Sequence, residues 1–428
     1  MRPSAFVLPG LAVLVPACGL AGVKESAGGS EGSDASGAAT SGAWTTDYGA
    51  TDEGTGSVTG PGPVCGDGVL GPGEACDDGN SAAGDGCEPG CVAGLVEPFE
   101  RTFAAVMPRA VAVAPAGWIA VAGSQVAPSI APWLARLSGA GEQVWTKVPS
   151  DPDIGISVQA LAIDGDGVVH AAGGETYDDV AGDAWVARFD AAGGSVDSSS
   201  FLIGDYTRAQ GVALGPTPTW YVGGEAGTYA AWVRRLDAAG AALWTWQQAD
   251  ASAYTLAVDP AGNAFAAGTV YGGEGAVWKI DAAGQTLWTR PQATSWLFLA
   301  VDEAGAVYVA GSEDGESQLR LWVAKLGPGG DELWRTELAE IAGASASDSA
   351  GGLALAATGT LFFAAQALWQ GSLLFGLDAA DGALKWTDSE PAWRWEDVAV
   401  LPSGQPVVVG WDVAAPERVG IVRVYAAP

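Results

Sequence analysis

Histidine and cysteine are scarce in this chain. Its 428 residues contain one histidine, His170, and five cysteines, none of which lies beyond Cys91. A Ser-His-Asp triad or a His-based metal site would have to use that single imidazole. Because His170 lies in the apolar segment VVHAAG, we interpret it as a packed side chain. The sequence therefore assigns no catalytic residue and no metal ligand.

Basic residues are also few. The chain has 19 Lys and Arg against 50 Asp and Glu, which gives a formal net charge of -31. Such a field repels nucleic acid and anionic lipid surfaces, and it mainly favours solubility. We therefore expect no nucleic-acid partner.

The N-terminal segment is typical of an export signal. Arg2 precedes the apolar stretch Ala5–Val15, which is too short to span a bilayer. The residues VPACG at 15–19 resemble a bacterial lipobox, although proline at position 16 departs from the usual pattern. The resemblance implies a signal peptide at 1–18, acylation of Cys18 and a lipid-anchored protein at the outer membrane or cell surface. Ordinary secretion, with Cys18 present by chance, is the alternative.

Residues 19–63 contain almost no aliphatic pattern. They are rich in Gly, Ser, Thr and Ala, with scattered acids. Such a segment buries too little apolar surface to offset its chain entropy. We predict a disordered tether between the N-terminus and the folded part of the protein.

Four of the five cysteines lie in one Gly-rich stretch, residues 64–94. They are Cys65, Cys76, Cys87 and Cys91. In an exported chain this even number predicts two disulfides, with three possible pairings. Four thiolates could instead hold zinc, but the spacing of ten, ten and three residues lacks paired CxxC motifs.

The stretch CGDGVLGPGEACDDGNSAAGDGCEPGC resembles the cysteine-rich repeat of extracellular proteins from myxobacteria and their relatives. The resemblance covers about 30 residues and implies a secreted or surface protein without assigning an activity. The stretch also contains oxygen ligands suited to calcium, namely Asp67, Asp77, Asp78, Asn80 and Asp85. The alternative is that these residues build tight turns, and no other cofactor is expected.

A repeated unit occupies the rest of the chain, residues 95–428. It is clearest at Ala300–Thr336, where apolar segments alternate with Gly-containing turns. A cation marks each copy except the sixth, where Gly376 replaces it. The six cations are Arg136, Arg188, Arg235, Lys279, Lys325 and Arg423.

In most copies a Trp follows nine or ten residues later. Features common to nearly every copy indicate architecture, so we interpret the Trp as a packing wedge between copies.

Each copy holds four short apolar segments and shows no helical periodicity. Four strands per 40–50 residues is the pattern of a propeller blade. The last copy stops after its third strand, whereas Phe99–Ala105 has the pattern of an unpaired fourth strand. We therefore predict an all-β fold, a seven-bladed β-propeller of four-stranded blades closed by that segment. The small disulfide-stapled module and the disordered tether precede it.

The repeat unit resembles the bacterial β-propeller repeats of the SBBP type and, more loosely, pyrroloquinoline-quinone-type repeats. The residues that carry this resemblance are DEAGAVYVAGS and WVAKLGPGGDELW. It covers about 330 residues and implies the fold. Proteins with these repeats include binding proteins, scaffolds and enzymes, so the resemblance implies no particular activity.

The loops of the predicted blades differ between the two faces of the propeller. Those joining strands one to two and three to four are short and uniform, whereas the others vary in length and chemistry. Variable loops on a rigid scaffold often carry binding sites, although neutral drift would also produce them. The candidate ligand-binding residues there are Tyr177, Asp178, Asp179, Tyr271, Trp296, Trp369, Trp393, Trp395, Trp411 and Asp412. The same face is expected to carry Tyr206, Tyr229 and Tyr254.

These observations favour an exported, lipid-anchored binding or scaffold protein without catalytic activity. We expect a monomer that binds a protein or a carbohydrate at the cell surface, because aromatic and acidic side chains suit both. The alternative is an exported carbohydrate-active lyase or hydrolase that uses carboxylates on the variable face. Two carboxylates about 5–10 Å apart in a pocket would favour that alternative.

Overall fold

A computed structural model describes the chain at residues 87–88, 92–93, 98–126, 131–147, 155–177, 180–216, 218–227, 229–292, 296–314, 318–342, 351–367, 371–412 and 418–426. Within these residues every regular element is a β-strand. A short antiparallel pair joins β1 (Cys87–Glu88) to β2 (Val92–Ala93). The predicted signal peptide and tether lie outside the described residues, as do Cys65, Cys76 and Cys91.

The remaining strands form seven four-stranded antiparallel sheets. The innermost strands are β4 (Val106–Val113), β8 (Gly155–Ile163), β12 (Thr207–Leu214), β16 (Ala251–Val258), β20 (Trp296–Val301), β24 (Gly351–Leu355) and β28 (Trp393–Val400). The second strands are β5 (Ile119–Gln125), β9 (Val169–Tyr177), β13 (Trp220–Ala226), β17 (Ala264–Val270), β21 (Val307–Asp314), β25 (Thr360–Ala367) and β29 (Pro406–Asp412). Since the innermost strand of each sheet contacts that of the next, the sheets form a ring of seven blades.

The outer half of each blade completes this ring. The third strands are β6 (Ala131–Leu137), β10 (Val180–Phe189), β14 (Ala230–Leu236), β18 (Gly275–Ile280), β22 (Gln318–Leu326), β26 (Gly371–Asp378) and β30 (Val419–Val424). The outermost strands are β7 (Gln143–Lys147), β11 (Ser195–Phe201), β15 (Ala242–Ala249), β19 (Thr286–Gln292), β23 (Glu332–Ala342), β27 (Leu384–Glu390) and β3 (Phe99–Ala104). The seven-bladed fold predicted from the sequence is confirmed.

The seventh blade takes its outermost strand from the start of the chain. Strand β3 pairs antiparallel with β30, with Phe99 opposite Val424 and Ala104 opposite Val419. Arg423 of β30 forms ion pairs with Glu100 of β3 and with Glu390 of the sixth blade. The predicted closure by an N-terminal strand is therefore confirmed, and β3 covers the edge that β30 would otherwise expose.

Two short turns in each of the first six blades, and one in the seventh, lie on one side of the ring, which we call the turn face. They join the first strand to the second and the third to the fourth. Twelve glycines in these turns, such as Gly240 and Gly284, have φ between 76° and 86°, a region that strongly favours glycine. At the third-to-fourth turn of the third blade, the Asp237 carboxylate accepts hydrogen bonds from the backbone N–H groups of Ala239 and Ala241, both at 2.9 Å. These contacts confirm the role that the sequence indicated for Asp at the turn start.

The repeated cation and the repeated Trp hold neighbouring blades together. In the first blade, Arg136 Nη1 and Trp145 Nε1 donate to the Ala191 carbonyl of the second blade at 2.6 and 3.0 Å. The same carbonyl position accepts from later cation–Trp pairs, namely Arg235 and Trp244 on Ala282, and Lys279 and Trp288 on Pro328. Both repeated residues therefore serve the architecture of the ring.

Apolar clusters fill the space between blades. In one of them, Phe265 and Val277 of the fourth blade pack against Leu297 and Trp322 of the fifth, and all four are almost fully buried. Burial at this level contributes roughly 1.5–3 kcal/mol for each large side chain. The ring is therefore held by interfaces between blades as well as by the sheets themselves.

Phe99 occupies, at the closing seam, the place that Trp takes elsewhere. Its ring packs on Gly141 of the first blade as Trp145 packs on Gly193 of the second, and a Cβ at Gly141 would collide with the Phe99 ring. We predict that Phe99→Ala lowers the free energy of unfolding by roughly 1–3 kcal/mol, because it removes the wedge at the seam. Urea denaturation of the full chain measures this change.

Val144→Ala is the matched control, since Val144 lies on outermost strand β7 with 54 % of its surface exposed. We expect that control to stay within about 0.5 kcal/mol of the parent protein. Equal effects of the two substitutions would show that the closing strand adds nothing to stability.

Candidate functional site

Five of the seven innermost strands contain a β-bulge. The strand register shifts by one residue in β4, β8, β12, β16 and β28. The extra residue is polar in every case, and the five are Arg109, Gln159, Gln210, Tyr254 and Glu396. All five line the central channel. Because a bulge re-aims a side chain, the irregularities build a polar arc in a channel whose strands are otherwise largely apolar.

Glycines on the second strands make room for these bulges. A Cβ at Gly123, Gly173 or Gly268 would collide with a backbone carbonyl of the bulged strand beside it. Gly224 and Gly410 occupy the same place in the third and seventh blades. In these five blades a glycine on the second strand therefore makes room for the bulge of the first strand. Such a glycine is visible in the sequence but is not specific for a bulge, because Gly311 of β21 lies opposite Leu297 of β20 with no register shift.

The remaining two blades give the channel a different wall. The described pairs of β20 and β24 show no register shift, and these strands present Phe298, Gly351, Gly352 and Leu353 to the channel. The cavity enclosed by the seven strands has a volume of about 280 Å³. It therefore has a polar arc from the seventh blade to the fourth and an apolar arc across the fifth and sixth.

Glu396 lies at the seam between the seventh and first blades. Its Oε1 accepts hydrogen bonds from Arg394 Nε at 2.6 Å and Trp411 Nε1 at 2.9 Å. Its Oε2 lies 3.9 Å from Nη1 of Arg109 in the first blade. Only 8 % of the Glu396 side chain is exposed. The carboxylate is therefore fixed by two donors on one oxygen, while the other oxygen faces a cation beyond hydrogen-bond distance.

Asp397, the next residue, joins the same two blades through the backbone. Its Oδ2 accepts from the Val111 N–H at 2.9 Å and its Oδ1 from the Val398 N–H at 2.8 Å. Burial raises the pKa of the Asp397 carboxyl to about 7, although both N–H donors act in the opposite direction. Both oxygens are engaged, so this carboxyl serves the joint between β28 and β4.

Three polar side chains of the arc have unused hydrogen-bonding capacity. Within the described part of the chain, Gln159 and Gln210 have no side-chain hydrogen bond or ion pair, and Arg109 has only the 3.9 Å approach to Glu396. These groups come from the first three blades and face one cavity. They can therefore serve a ligand without breaking a contact of the fold.

The predicted ligand residues on the variable loops differ in whether the structure describes them and in how deeply they are buried. Asp178, Asp179 and Trp369 lie outside the described residues, as do the side chains of Tyr177 and Trp296. Asp412 is half-buried at the end of β29. Trp393 is also half-buried, and its ring stacks on Trp395 with centroids 6.5 Å apart and an interplanar angle of 6°.

Two of the predicted ligand residues, Trp395 and Trp411, are buried. The Trp395 side chain has 0 % exposure and packs in the core between the sixth and seventh blades. Trp411 is 8 % exposed, donates to Glu396, and lies between Arg394 and Arg418 at 5.4 and 4.3 Å from its ring centroid. Neither indole offers a surface to a ligand. The sequence placed both at a loop because it does not show which aromatic residues turn inward.

Among the described side chains of the variable side, which we call the loop face, the exposed aromatic residues are tyrosines. Tyr271 is 78 % exposed and Tyr229 is 59 % exposed, and their rings meet edge to face with centroids 6.3 Å apart. Tyr229 has a φ of 62°, which is uncommon for a bulky residue. Burial is the largest cause that raises the pKa of Tyr206, and nearby Glu225, Tyr229 and Tyr254 raise it further. Arg208 lowers it. Tyr206 therefore lies close to both the exposed pair and the channel residue Tyr254.

His170 belongs to the turn face and is a packed side chain, as the sequence indicated. It is 4 % exposed, and its Nε2 lies 3.0 Å from Asp164 Oδ2. Its ring meets Trp220 edge-on with centroids 5.0 Å apart. Burial lowers the pKa of His170 while Asp164 raises it. The imidazole is therefore remote from the channel's polar arc.

The described residues contain neither a metal-binding cluster nor a membrane-spanning helix. No group of three or more His, Cys, Asp or Glu side chains there is arranged to hold a metal ion. Likewise, within the described ranges no helix is long and apolar enough to cross a membrane.

Comparison with known proteins supports the fold alone. No family model matches the chain, and no curated protein matches it. Among solved structures, a chain of the "Crystal Structure of Mitotic Checkpoint Complex" is similar with a TM-score of 0.55 and 13 % identity. The match covers 76 % of this chain and 91 % of that chain. At this identity the likeness concerns the propeller fold.

The raised pKa of Asp397 predicts a pH-dependent stability. The folded protein favours the protonated carboxyl, so this stabilisation is full below the ordinary carboxyl pKa and is lost as pH rises through about 7. Asp397→Asn does not ionise. We therefore expect the stability of this variant relative to the parent to rise by roughly 1–3 kcal/mol between pH 5 and pH 8, measured by urea denaturation.

The matched control is Asp205→Asn, at an exposed position. Its difference from the parent should be nearly the same at both pH values. If Asp397→Asn is equally insensitive to pH, the Asp397 carboxyl is an ordinary surface acid and the argument from burial is wrong.

Proposed function

We propose that this protein is an exported binding protein of the cell surface, without catalytic activity, which binds its ligand on the loop face. The observation that carries the proposal is the exposed pair Tyr229 and Tyr271. Backbone hydrogen bonds hold both: Tyr229 O accepts from Ala251 N at 3.0 Å, and Tyr271 N donates to Asp250 O at 2.6 Å. Rigid, exposed aromatic rings bind carbohydrate and protein surfaces at low entropic cost.

The carboxylates of the channel favour binding over hydrolysis. The acids that line it, Glu396 and Asp397, are consecutive residues of one strand. Glycoside hydrolysis requires two carboxyl groups on opposite sides of the scissile bond. Here Glu396 is held by Arg394 and Trp411, and Asp397 by two backbone N–H groups. A lyase or hydrolase that used these two channel carboxylates therefore has less support.

Attachment to the membrane is proposed from the N-terminal sequence. Acylation of Cys18 would anchor the protein, since two or three acyl chains bind a bilayer stably. Residues 19–63 would then act as the disordered tether. The net charge of -31 supports a role without nucleic acid. We also propose that the chain is a monomer and that its repeats belong to the SBBP type.

The cysteine module is proposed to be stapled by two disulfides, because an exported chain with four cysteines in one short stretch favours two bridges. In the described residues, Cys87 lies on β1, which pairs with β2 so that Cys87 is opposite Ala93. A short hairpin of this kind needs a covalent staple to be stable on its own. Calcium binding by the Asp-rich turns of this module remains a second proposal.

We predict that Cys18→Ser releases the protein from membranes into the soluble exported fraction. The measurement is fractionation of cells that express either form, followed by mass analysis of the N-terminus. Cys65→Ser is the control, because it removes a thiol without touching the acylation site. Membrane retention of Cys18→Ser would contradict lipid anchoring.

We predict that thiol titration of the denatured exported protein finds no free thiol at Cys65, Cys76, Cys87 or Cys91. Two disulfides would use all four sulfur atoms. The Cys18→Ser form is suited to this assay, since the module then contains every remaining cysteine. Free thiols at these positions would contradict the stapled module.

We predict that the soluble Cys18→Ser protein binds a ligand on a combined glycan and peptide array. Tyr229→Ala and Tyr271→Ala should each weaken that binding at least about fivefold, because each removes an exposed aromatic contact worth about 1–2 kcal/mol. Leu243→Ala is the control, since Leu243 is an exposed apolar residue (51 %) of outermost strand β15. Binding that survives both tyrosine substitutions would place the ligand elsewhere, and a blank array would contradict the binding function.

A further inference from the structure

We propose that the central channel binds one neutral sugar ring, either a free monosaccharide or the terminal residue of a glycan. The inference rests on the proposed binding function and adds to it a ligand class and a second contact region. It is carried by the polar arc of bulge residues, by the apolar arc opposite, and by the charge balance between them.

The polar arc has the groups that recognise hydroxyls. Arg109, Gln159 and Gln210 project from three consecutive blades and have unused donors within the described residues. Glu396 Oε2 is an acceptor 3.9 Å from Arg109 Nη1. A planar guanidinium, amide or carboxylate can bond two atoms at once, which matches the adjacent hydroxyls of a sugar. The arc therefore offers both donors and acceptors, as a hydroxyl group requires.

The opposite wall suits the apolar face of a sugar. Phe298 of β20 is half-buried and lines the cavity beside Leu353 of β24. An aromatic ring contributes apolar surface with a negative face, against which the C–H groups of a sugar can pack. Gly351 and Gly352 add no side chain here, and a Cβ at Gly352 would collide with Asp397. The cavity therefore stays open between the two arcs.

The charges of the channel favour a neutral ligand. Glu396 is balanced by Arg394 at 2.6 Å and approached by Arg109 at 3.9 Å. An ammonium group at Glu396 Oε2 would lie beside the Arg109 guanidinium, which disfavours amino acids. A phosphate or carboxylate would enter against the field of a chain with net charge -31. A sugar without charge meets neither penalty.

The size of the cavity agrees with one ring. Its volume of about 280 Å³ is at the small end of the roughly 300–1,000 Å³ that ligand sites occupy. A longer glycan would have to leave the channel. The nearby Tyr206 and the exposed pair Tyr229 and Tyr271 would then meet its next residues on the loop face.

The test is titration calorimetry and ligand-observed NMR on the soluble Cys18→Ser chain. The probes are a panel of neutral monosaccharides, a panel of zwitterionic amino acids and glucose 6-phosphate. We expect saturable binding of at least one neutral monosaccharide with a Kd of about 1 mM or tighter, equivalent to about 4 kcal/mol. No binding of any monosaccharide, or a preference for the amino acids or the phosphate, would overturn the inference.

Substitutions locate the bound sugar. Gln159→Leu and Gln210→Leu should each weaken binding at least fivefold, because each removes a hydrogen bond of about 1 kcal/mol or more. Gln247→Leu is the matched control, at an exposed position of outermost strand β15. If a leucine variant fails to fold, Gln159→Ala replaces it, since it only removes atoms from the channel wall. Sugar binding of unchanged affinity in all these variants would place the site outside the channel.

The outcome separates this inference from the proposed function. Array binding that depends on Tyr229 and Tyr271 but not on Gln159 or Gln210 would overturn the channel site and leave the loop-face function standing. Dependence on both sets supports one continuous site. Binding to the channel alone would support the sugar site and contradict the role of the exposed tyrosine pair.

Discussion

The structure depends on closing a ring of seven sheets at one seam. Strand β3 pairs with β30 at the outer edge, while Asp397 accepts the Val111 N–H at the inner edge. Between them Phe99 packs on Gly141 of the first blade. Every other interface joins blades that follow one another in the chain. This seam alone joins residues separated by nearly the whole propeller, so its contacts determine whether the ring exists.

The seam also carries much of the channel's chemistry. Glu396 of the seventh blade faces Arg109 of the first across 3.9 Å, and Asp397 lies beside them. The bulges that direct these residues into the channel require glycine on the neighbouring strand. The same backbone geometry therefore serves both the fold and the site. On the turn face, by contrast, one carbonyl position accepts both the cation and the Trp of the preceding blade at three junctions, as Ala191 does from Arg136 and Trp145. Contacts between blades therefore constrain the turn face, whereas the channel residues depend on the bulges.

Much of the fold could be predicted because its signals are local. The spacing of Arg136 and its equivalents, the turn glycines and the unpaired strand at Phe99–Ala105 each depend on residues close in sequence. The candidate site was harder to predict. Trp395 and Trp411 lie next to variable loops, where the sequence predicts ligand contacts, yet both are buried. Whether an aromatic residue at a strand end faces solvent or the next blade depends on packing partners that the local pattern does not contain.

The sequence by itself determined the repeat, the number of blades and the turn chemistry, because hydrogen bonding within a hairpin and a positive φ involve only neighbouring residues. The tertiary structure alone decided which polar side chains share a cavity. Arg109, Gln159, Gln210, Tyr254 and Glu396 each come from a different blade and span most of the chain. Each is aimed inward by a register shift of one residue, and only ring closure brings the five to one channel.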